Sequence, residues 1–227
     1  GSIKKSGLYD ETIISLNKHG IKYEELDKVV SNPLLSRVND GIKLARETEV
    51  QAILGVGGGS VADTIKAIAV GVKYDGDVWD FFSNKAVIKE ALPVFTVMTL
   101  AATASEMNGN SVITHDETKE KFSIGSVLVN PVLSVINPEL MASVSKDYLA
   151  YSAVDAIAHV IEVYFTATYH SDFNSRLVES IIKSMMRTTE ILLKNPNDYK
   201  GRGEFAWIAT QALNGLTPSG TEGGSFP

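Results

Sequence analysis

Gly55-Val56-Gly57-Gly58-Gly59-Ser60-Val61-Ala62-Asp63-Thr64-Ile65-Lys66 ends one short apolar segment, supplies four glycines, and opens a second apolar segment at helical spacing. A strand, a loop without side chains and a helix in that order make a natural seat for an anion. Consecutive glycines permit positive φ and bring backbone amides close to a ligand with no Cβ in the way. A helix starting at Ser60 would turn its unpaired N–H groups and positive dipole end toward the same point. Ser60 also suits an N-cap, with Asp63 three residues on as a variant capping box. The competing reading is a plain glycine-rich turn between a buried strand and a helix. Neither common phosphate fingerprint fits, because G-x-G-x-x-G needs glycine at Ser60 and a Walker A loop needs Gly-Lys-Ser/Thr.

Working outward, the chain up to about Asn137 alternates short Val- and Ile-rich runs with helical patterns. Ala52 to Val56, Pro93 to Thr99 and Leu133 to Ile136 read as buried strands of a parallel sheet. Leu8 to His19, Ser36 to Thr48 and Ser60 to Val72 read as the helices between and before them. A repeated βα unit makes an α/β layered domain, whose ligands lie beyond the carboxyl ends of the strands, where Gly57 to Ser60 falls. Ser111 to Thr114 and Lys121 to Gly125 flank a polar turn and form a hairpin on the rim of the sheet.

After Asn137-Pro138 the pattern changes to long helices. Lys146 to Thr166 places Val154, Ile157, Ala158, Ile161 and Phe165 on one face, and Arg176 to Lys194 places Leu177, Ile181, Met185, Thr188 and Leu192 on another. Two domains follow, an α/β domain over 1–138 and a helical domain over 139–227, with a linker near 137–145.

The 227 residues are 44% hydrophobic and 21% charged, enough for one large or two small domains with a true core. A net charge of −6 without a basic cluster argues against nucleic acid as a partner. The absence of cysteine excludes disulfides, thiolate metal sites and thiol nucleophiles, so any metal must use His, Asp or Glu. No apolar run is long enough to span a bilayer and no secretory leader opens the chain, so a soluble cytoplasmic protein without a membrane partner is expected.

Asp155 and His159 lie one helical turn apart, so their side chains leave the same face. A carboxylate and an imidazole at that spacing can share a divalent ion; they can equally be a hydrogen-bonded pair within the helix. His19 at a helix end, His115 in a polar turn and His170 before a helix start read as structural or solvated.

The glycine run, the loop Thr99-Leu100-Ala101-Ala102-Thr103-Ala104-Ser105-Glu106-Met107-Asn108-Gly109-Asn110 and the Asp155/His159 pair, in this order, resemble the iron-containing (group III) alcohol dehydrogenases, on the butanol dehydrogenase and broad aldehyde reductase branch. The resemblance covers essentially the whole chain. It implies a Rossmann-like nucleotide-binding domain followed by an all-helical domain, in a dehydroquinate synthase-like architecture. It further implies that the backbone of Gly58, Gly59 and Ser60 holds a dinucleotide pyrophosphate, with Asp63 close by. Thr99 and Thr103 would lie against the cofactor, and Asn110 and Lys121 would reach it from the rim hairpin. Asp155 and His159 match the first two of four metal ligands, which in the family are one Asp and three His, with Fe2+ the first expectation and Zn2+ or Mn2+ as alternatives.

The activity implied is reversible hydride transfer between NAD(P)H and a primary alcohol or aldehyde such as butanol or butyraldehyde, in a homodimer. Ser2 stands where an acidic residue would repel a ribose 2′-phosphate, with Lys4 and Lys5 beside it, which favours NADP over NAD; Gly1-Ser2 also has the form of a cloning remnant. Against the family pattern the chain lacks a first strand and helix, and it stops before the segment that carries the third and fourth ligands. A fragment truncated at both ends, with poor metal affinity and open sheet edges, is therefore expected. A dehydroquinate synthase-like lyase, a polyol dehydrogenase and a non-catalytic nucleotide-binding module are the other readings.

Overall fold

The computed structural model describes residues 2–169 and 171–221. The chain forms two compact units, Gly1–Val97 with Gly109–Val135, and Met98–Asn108 with Ile136–Pro227.

The first unit opens with two helices, α1 (Ser2–Lys5) and α2 (Leu8–Lys18), followed by α3 (Leu35–Glu47). Helix α3 buries Leu35, Val38, Ile42 and Ala45, an i, i+3, i+7, i+10 stripe turned toward the core. Strand β1 (Ile53–Gly57) leads directly into α4 (Gly59–Val72), and a short α5 (Trp79–Phe82) precedes β2 (Val94–Met98). The hairpin of β3 (Asn110–Thr114) and β4 (Lys121–Gly125) comes next, then β5 (Leu133–Ile136). The parallel sheet has the order β1-β2-β5, and β3 pairs antiparallel with β4, Asn110 opposite Gly125 and Thr114 opposite Lys121.

The core of this unit gathers Val38, Ile65, Val70, Phe82, Val94, Ile113 and Val129. Helix α4 is buried at every position from Thr64 to Gly71, so it is the central helix of its layer. Trp79 packs between the rings of Phe82 and Phe122 and meets the edge of His115 at a centroid distance of 5.0 Å. This aromatic group ties α5 to the hairpin.

Three features differ from the sequence expectation. The strand at Leu133–Ile136 is not buried, because it closes one side of the three-stranded sheet and leaves Leu133 and Val135 exposed. Helix α4 starts one residue before Ser60: Gly58 is the N-cap, and no side chain makes a capping hydrogen bond there. The positive-φ glycines among the described residues are Gly7, Gly20, Gly215 and Gly220, none of them in the glycine run.

The second unit comprises α6 (Lys146–Thr166), α7 (Asp172–Lys194) and α8 (Tyr199–Leu213), which pack pairwise around Leu149, Val160, Ile181, Met185, Leu192 and Phe205. Periodicity missed α8, whose Trp207 is more than half exposed. It also selected the wrong face of α6. The buried residues there are Leu149, Ser152, Ala153, Ala156 and Val160, whereas Val154 and Phe165 are exposed, 66% and 71%. A helix that is apolar on two sides gives period analysis no means of choosing between them. Arg202, buried on α8, donates to the carbonyl oxygens of Pro196, Met141 and Ala142 and thereby holds the turn before α6.

Two contacts in the first unit give measurable consequences. A Cβ at Gly109 would fall on the Ser126 carbonyl and 2.8 Å from Asn130 Oδ1, so Gly109→Ala forces backbone apart. A loss of about 2 kcal/mol in urea unfolding is the expected result. Asp116, in the hairpin turn, accepts from the backbone N–H and the hydroxyl of Ser36 at 2.8 and 2.5 Å, and so caps α3 from another element. Burial alone would raise its pKa, but the bonds from Ser36 outweigh that and hold it below its ordinary value of 3.8. A carboxyl whose folded pKa is depressed stabilises fully above its unfolded pKa and loses that contribution as pH falls through the folded value. The stability gap between wild type and Asp116→Asn is therefore expected at neutral pH and should close as the pH falls below the ordinary carboxylate value, read by urea unfolding across a pH series.

Candidate functional site

In the first unit the site is built on the N-terminus of α4. Gly57 ends β1 because nothing larger fits: a Cβ there would stand 2.6 Å from Val61 Cγ2 in the first turn of the helix. Gly58 is extended, with φ −91° and ψ −169°, and its carbonyl accepts from the amides of Val61 and Ala62 at 3.0 and 3.2 Å. The first-turn amides of Gly59 and Ser60 therefore meet no capping side chain, at the positive end of a 14-residue helix. A helix end left open in this way fits a phosphate group better than the Ser60 cap expected from the sequence would have done.

Side chains farther along α4 hold its start to the hairpin. Thr64 donates to the Ser60 carbonyl at 2.8 Å, and the hydroxyl of Ser111 to the Asp63 carbonyl at 2.8 Å. Lys66 Nζ donates to the Asn110 carbonyl at 2.9 Å. Asp63 and the start of β3 at Asn110 and Ser111 are thus brought together. Lys121 is not among them, since it pairs with Thr114 at the far end of the hairpin and donates to Asn32 Oδ1 at 2.9 Å. Ser2 begins α1, and its side chain lies outside the described residues.

Thr99 and Thr103 belong to the second unit, in a loop pinned from within. Ala104 is buried with φ 49°, and its carbonyl accepts from Met107 N at 2.8 Å. Asn108 Nδ2 reaches the carbonyls of Thr103 and Leu213, and Thr210 Oγ1 donates to Glu106 Oε1 at 2.5 Å. The sequence reading did not single out Asn108, Glu106, Thr64 or Ser111, because lone polar residues in a loop or a buried helix carry no periodic signal.

On α6, Asp155 Oδ1 stands 3.7 Å from His159 Nε2. That separation is beyond a hydrogen bond, and Nε2 is buried with no hydrogen-bond partner. The hydrogen-bonded helix pair is therefore not what forms; a carboxylate oxygen and an imidazole nitrogen stand 3.7 Å apart on α6. Carboxylate oxygen and imidazole nitrogen suit Fe2+, Zn2+ or Mn2+ alike. Among the described residues no third His or acidic side chain joins them. His19 Nδ1 contacts the Ser15 carbonyl, and His115 Nδ1 accepts from the amides of Glu117 and Thr118, so both are structural; His170 lies outside the described residues.

A family model described as "Iron-containing alcohol dehydrogenase" matches residues 1–138. The chain belongs to that family. Similar curated proteins of the family include a "Probable NADH-dependent butanol dehydrogenase 1" of Bacillus subtilis, 45% identical over 98% of this chain and 58% of its own length. The "NADPH-dependent aldehyde reductase YqhD" of Escherichia coli is 34% identical over 97% of this chain and 57% of its own. The crystal structure of an NADH-dependent butanol dehydrogenase A from Thermotoga maritima superposes with a TM-score of 0.96 at 46% identity, covering 99% of this chain and 56% of that one. The chain thus spans just over half the length of the iron-containing alcohol dehydrogenases it matches.

An unbonded buried nitrogen is costly where no cation occupies it. His159→Leu is expected to raise the cation-free stability by about 1 kcal/mol in urea unfolding while abolishing any stabilisation by added Mn2+. A variant less stable than wild type would show that Nε2 is satisfied without a cation.

Proposed function

We propose that the chain forms the cofactor-binding part, and half of the metal-binding part, of an oxidoreductase that interconverts a primary alcohol and its aldehyde. The observation that carries this reading is the unbonded His159 Nε2 facing Asp155 in a chain of the iron-containing alcohol dehydrogenase family. When bound, a nicotinamide dinucleotide supplies the hydride donor or acceptor and a divalent cation supplies Lewis acidity toward the substrate oxygen.

The chain's own groups then bind and orient. The amides of Gly58, Gly59 and Ser60 take the pyrophosphate, and Asp63 and Asn110 border it. Thr99, Thr103 and Lys121 are assigned to the cofactor by the family resemblance alone. Asp155 brings a negative charge and His159 a neutral donor to the cation, with Fe2+ as the first expectation. The remaining donors come from beyond the described residues. The substrate class follows the relatives' names, butanol dehydrogenase and aldehyde reductase, and the assembly is taken as a homodimer.

For the cofactor, the absence of an acidic side chain at Ser2, with Lys4 and Lys5 following, supports NADP. The relatives' names include both NADH- and NADPH-dependent enzymes. Among the described residues no helix is long and apolar enough to cross a membrane. One observation favours a second reading: with two donors and no third among the described residues, the chain acts as a nucleotide-binding module whose cation site is not closed.

Calorimetric titration with NADPH and NADH tests the cradle; saturable binding, tighter for NADPH, is expected, and binding of neither would remove the reading. Butyraldehyde reduction by NADPH is then followed with Fe2+, Zn2+ or Mn2+ added. Turnover that requires the cation and disappears in Asp155→Ala, with dinucleotide affinity unchanged, supports the oxidoreductase; binding without turnover supports the module.

A further inference from the structure

We infer that Asn214 is a modification site, at which the folded chain loses a side-chain amide to the following backbone nitrogen and becomes a mixture of aspartate and β-linked isoaspartate. The sequence holds two Asn-Gly pairs, Asn108-Gly109 and Asn214-Gly215. Asparagine is a thermolabile residue, above all before glycine, whose nitrogen no Cβ shields from the neighbouring side chain. The structure treats the two pairs in opposite ways.

Asn108 is locked in place. It is buried, and its Nδ2 donates to the carbonyls of Thr103 and Leu213 at 3.0 and 3.1 Å. Gly109 is wedged against the Ser126 carbonyl with no space even for a Cβ. Asn214 is half-buried and caps the C-terminus of α8, where helices fray. Gly215 after it is exposed at φ 92°, no atom lies within 4 Å of the place a Cβ would take, and its N–H bonds to no backbone carbonyl among the described residues. Attack by Gly215 N on Asn214 Cγ needs a turn about the Asn214 Cα–C bond from its ψ of 6°. Nothing packed on Gly215 resists that turn. Of the bonds that must give way, Leu216 N to Asn214 Oδ1 at 3.0 Å and Asn214 Nδ2 to Met107 Sδ at 3.7 Å are exposed, and Asn214 Nδ2 to Gln211 Oε1 is a long 3.3 Å. Water replaces exposed bonds of this kind at little cost.

The chemistry balances without an oxidant or reductant. Gly215 N bonds to Asn214 Cγ and gives its proton to solvent; the Cγ–Nδ2 bond breaks, and the amide leaves as ammonia from a five-membered imide. Water then opens either imide carbonyl, so that one water is consumed for each ammonia released. Both products add a negative charge to a chain already at −6 and remove the donor to Gln211 and Met107. Isoaspartate also lengthens the main chain by one atom just ahead of Leu216 and the buried Thr217, in a segment that Ser219 ties to Asn174 of α7. The reaction therefore strains the seat of that segment on the helical unit.

The wild-type chain is warmed at neutral pH, folded and separately in guanidinium chloride, and peptides spanning each pair are followed by mass spectrometry. Isoaspartate is read by an isoaspartyl carboxyl methyltransferase with labelled S-adenosylmethionine. In denaturant the two pairs should react at similar rates; in the folded chain Asn214 should convert at least about tenfold faster than Asn108, at close to its own rate in denaturant. Asn214→Gln, which would have to close a six-membered ring, should abolish methyl acceptance by the folded chain. Equal conversion of the two pairs in the folded chain overturns the inference, as does a folded Asn214 about tenfold slower than in denaturant. If Asn214→Gln does not fold, the wild-type peptide map decides by the same two comparisons.

Discussion

Helix α4 has no solvent face from Thr64 to Gly71, and much of the first unit follows from that enclosure. Surrounded by α3, β1 and β3, the helix can accept mainly small or aliphatic side chains, and the sequence supplies Ala67, Ala69, Val70 and Gly71 there. Its two buried polar residues must find partners within the protein, and both find backbone carbonyls, Thr64 at Ser60 in the first turn and Lys66 at Asn110 on β3. The same burial fixes the direction of the axis, so the open N-terminus after Gly58 is held in one place by the whole core rather than by a flexible loop.

The helical unit solves a different problem. Asp155 and His159 sit on the border between the buried and the exposed faces of α6, partly accessible yet with Nε2 shielded. A pair placed in the core would need more partners than that region offers, and a pair on the open surface would be separated by water. The border position keeps two donors 3.7 Å apart without letting them satisfy each other. A buried imidazole nitrogen without a hydrogen-bond partner costs folding free energy.

Much of this architecture was legible in the residues. The strand-glycine-helix order located β1 and α4 to within a residue, Leu133–Ile136 and Lys146–Thr166 match their expected bounds, and the hairpin followed from two β-rich runs around a polar turn. What escaped was whatever depends on three-dimensional neighbours. Exposure of β5 follows from its place at the edge of the sheet, which its Val- and Ile-rich composition does not encode. The buried face of α6 is set by contacts with α7 and α8, and α8 itself mixes Gly201, Arg202 and Gly203 into a pattern without clear period. In the site, the glycines and the Asp155/His159 spacing were visible, but the partners of Lys66 and Glu106 lie 44 and 104 residues away in sequence.

The two tryptophans fall one in each unit and in opposite surroundings. Trp79 is enclosed by Phe82, Phe122 and His115, whereas Trp207 is 56% exposed on α8. The intrinsic emission of the folded chain is accordingly a sum of a blue-shifted, iodide-protected component and a red-shifted, quenchable one. Each unit carries its own optical label, so the loss of one component before the other would reveal whether the α/β and helical parts melt as one cooperative body or as two.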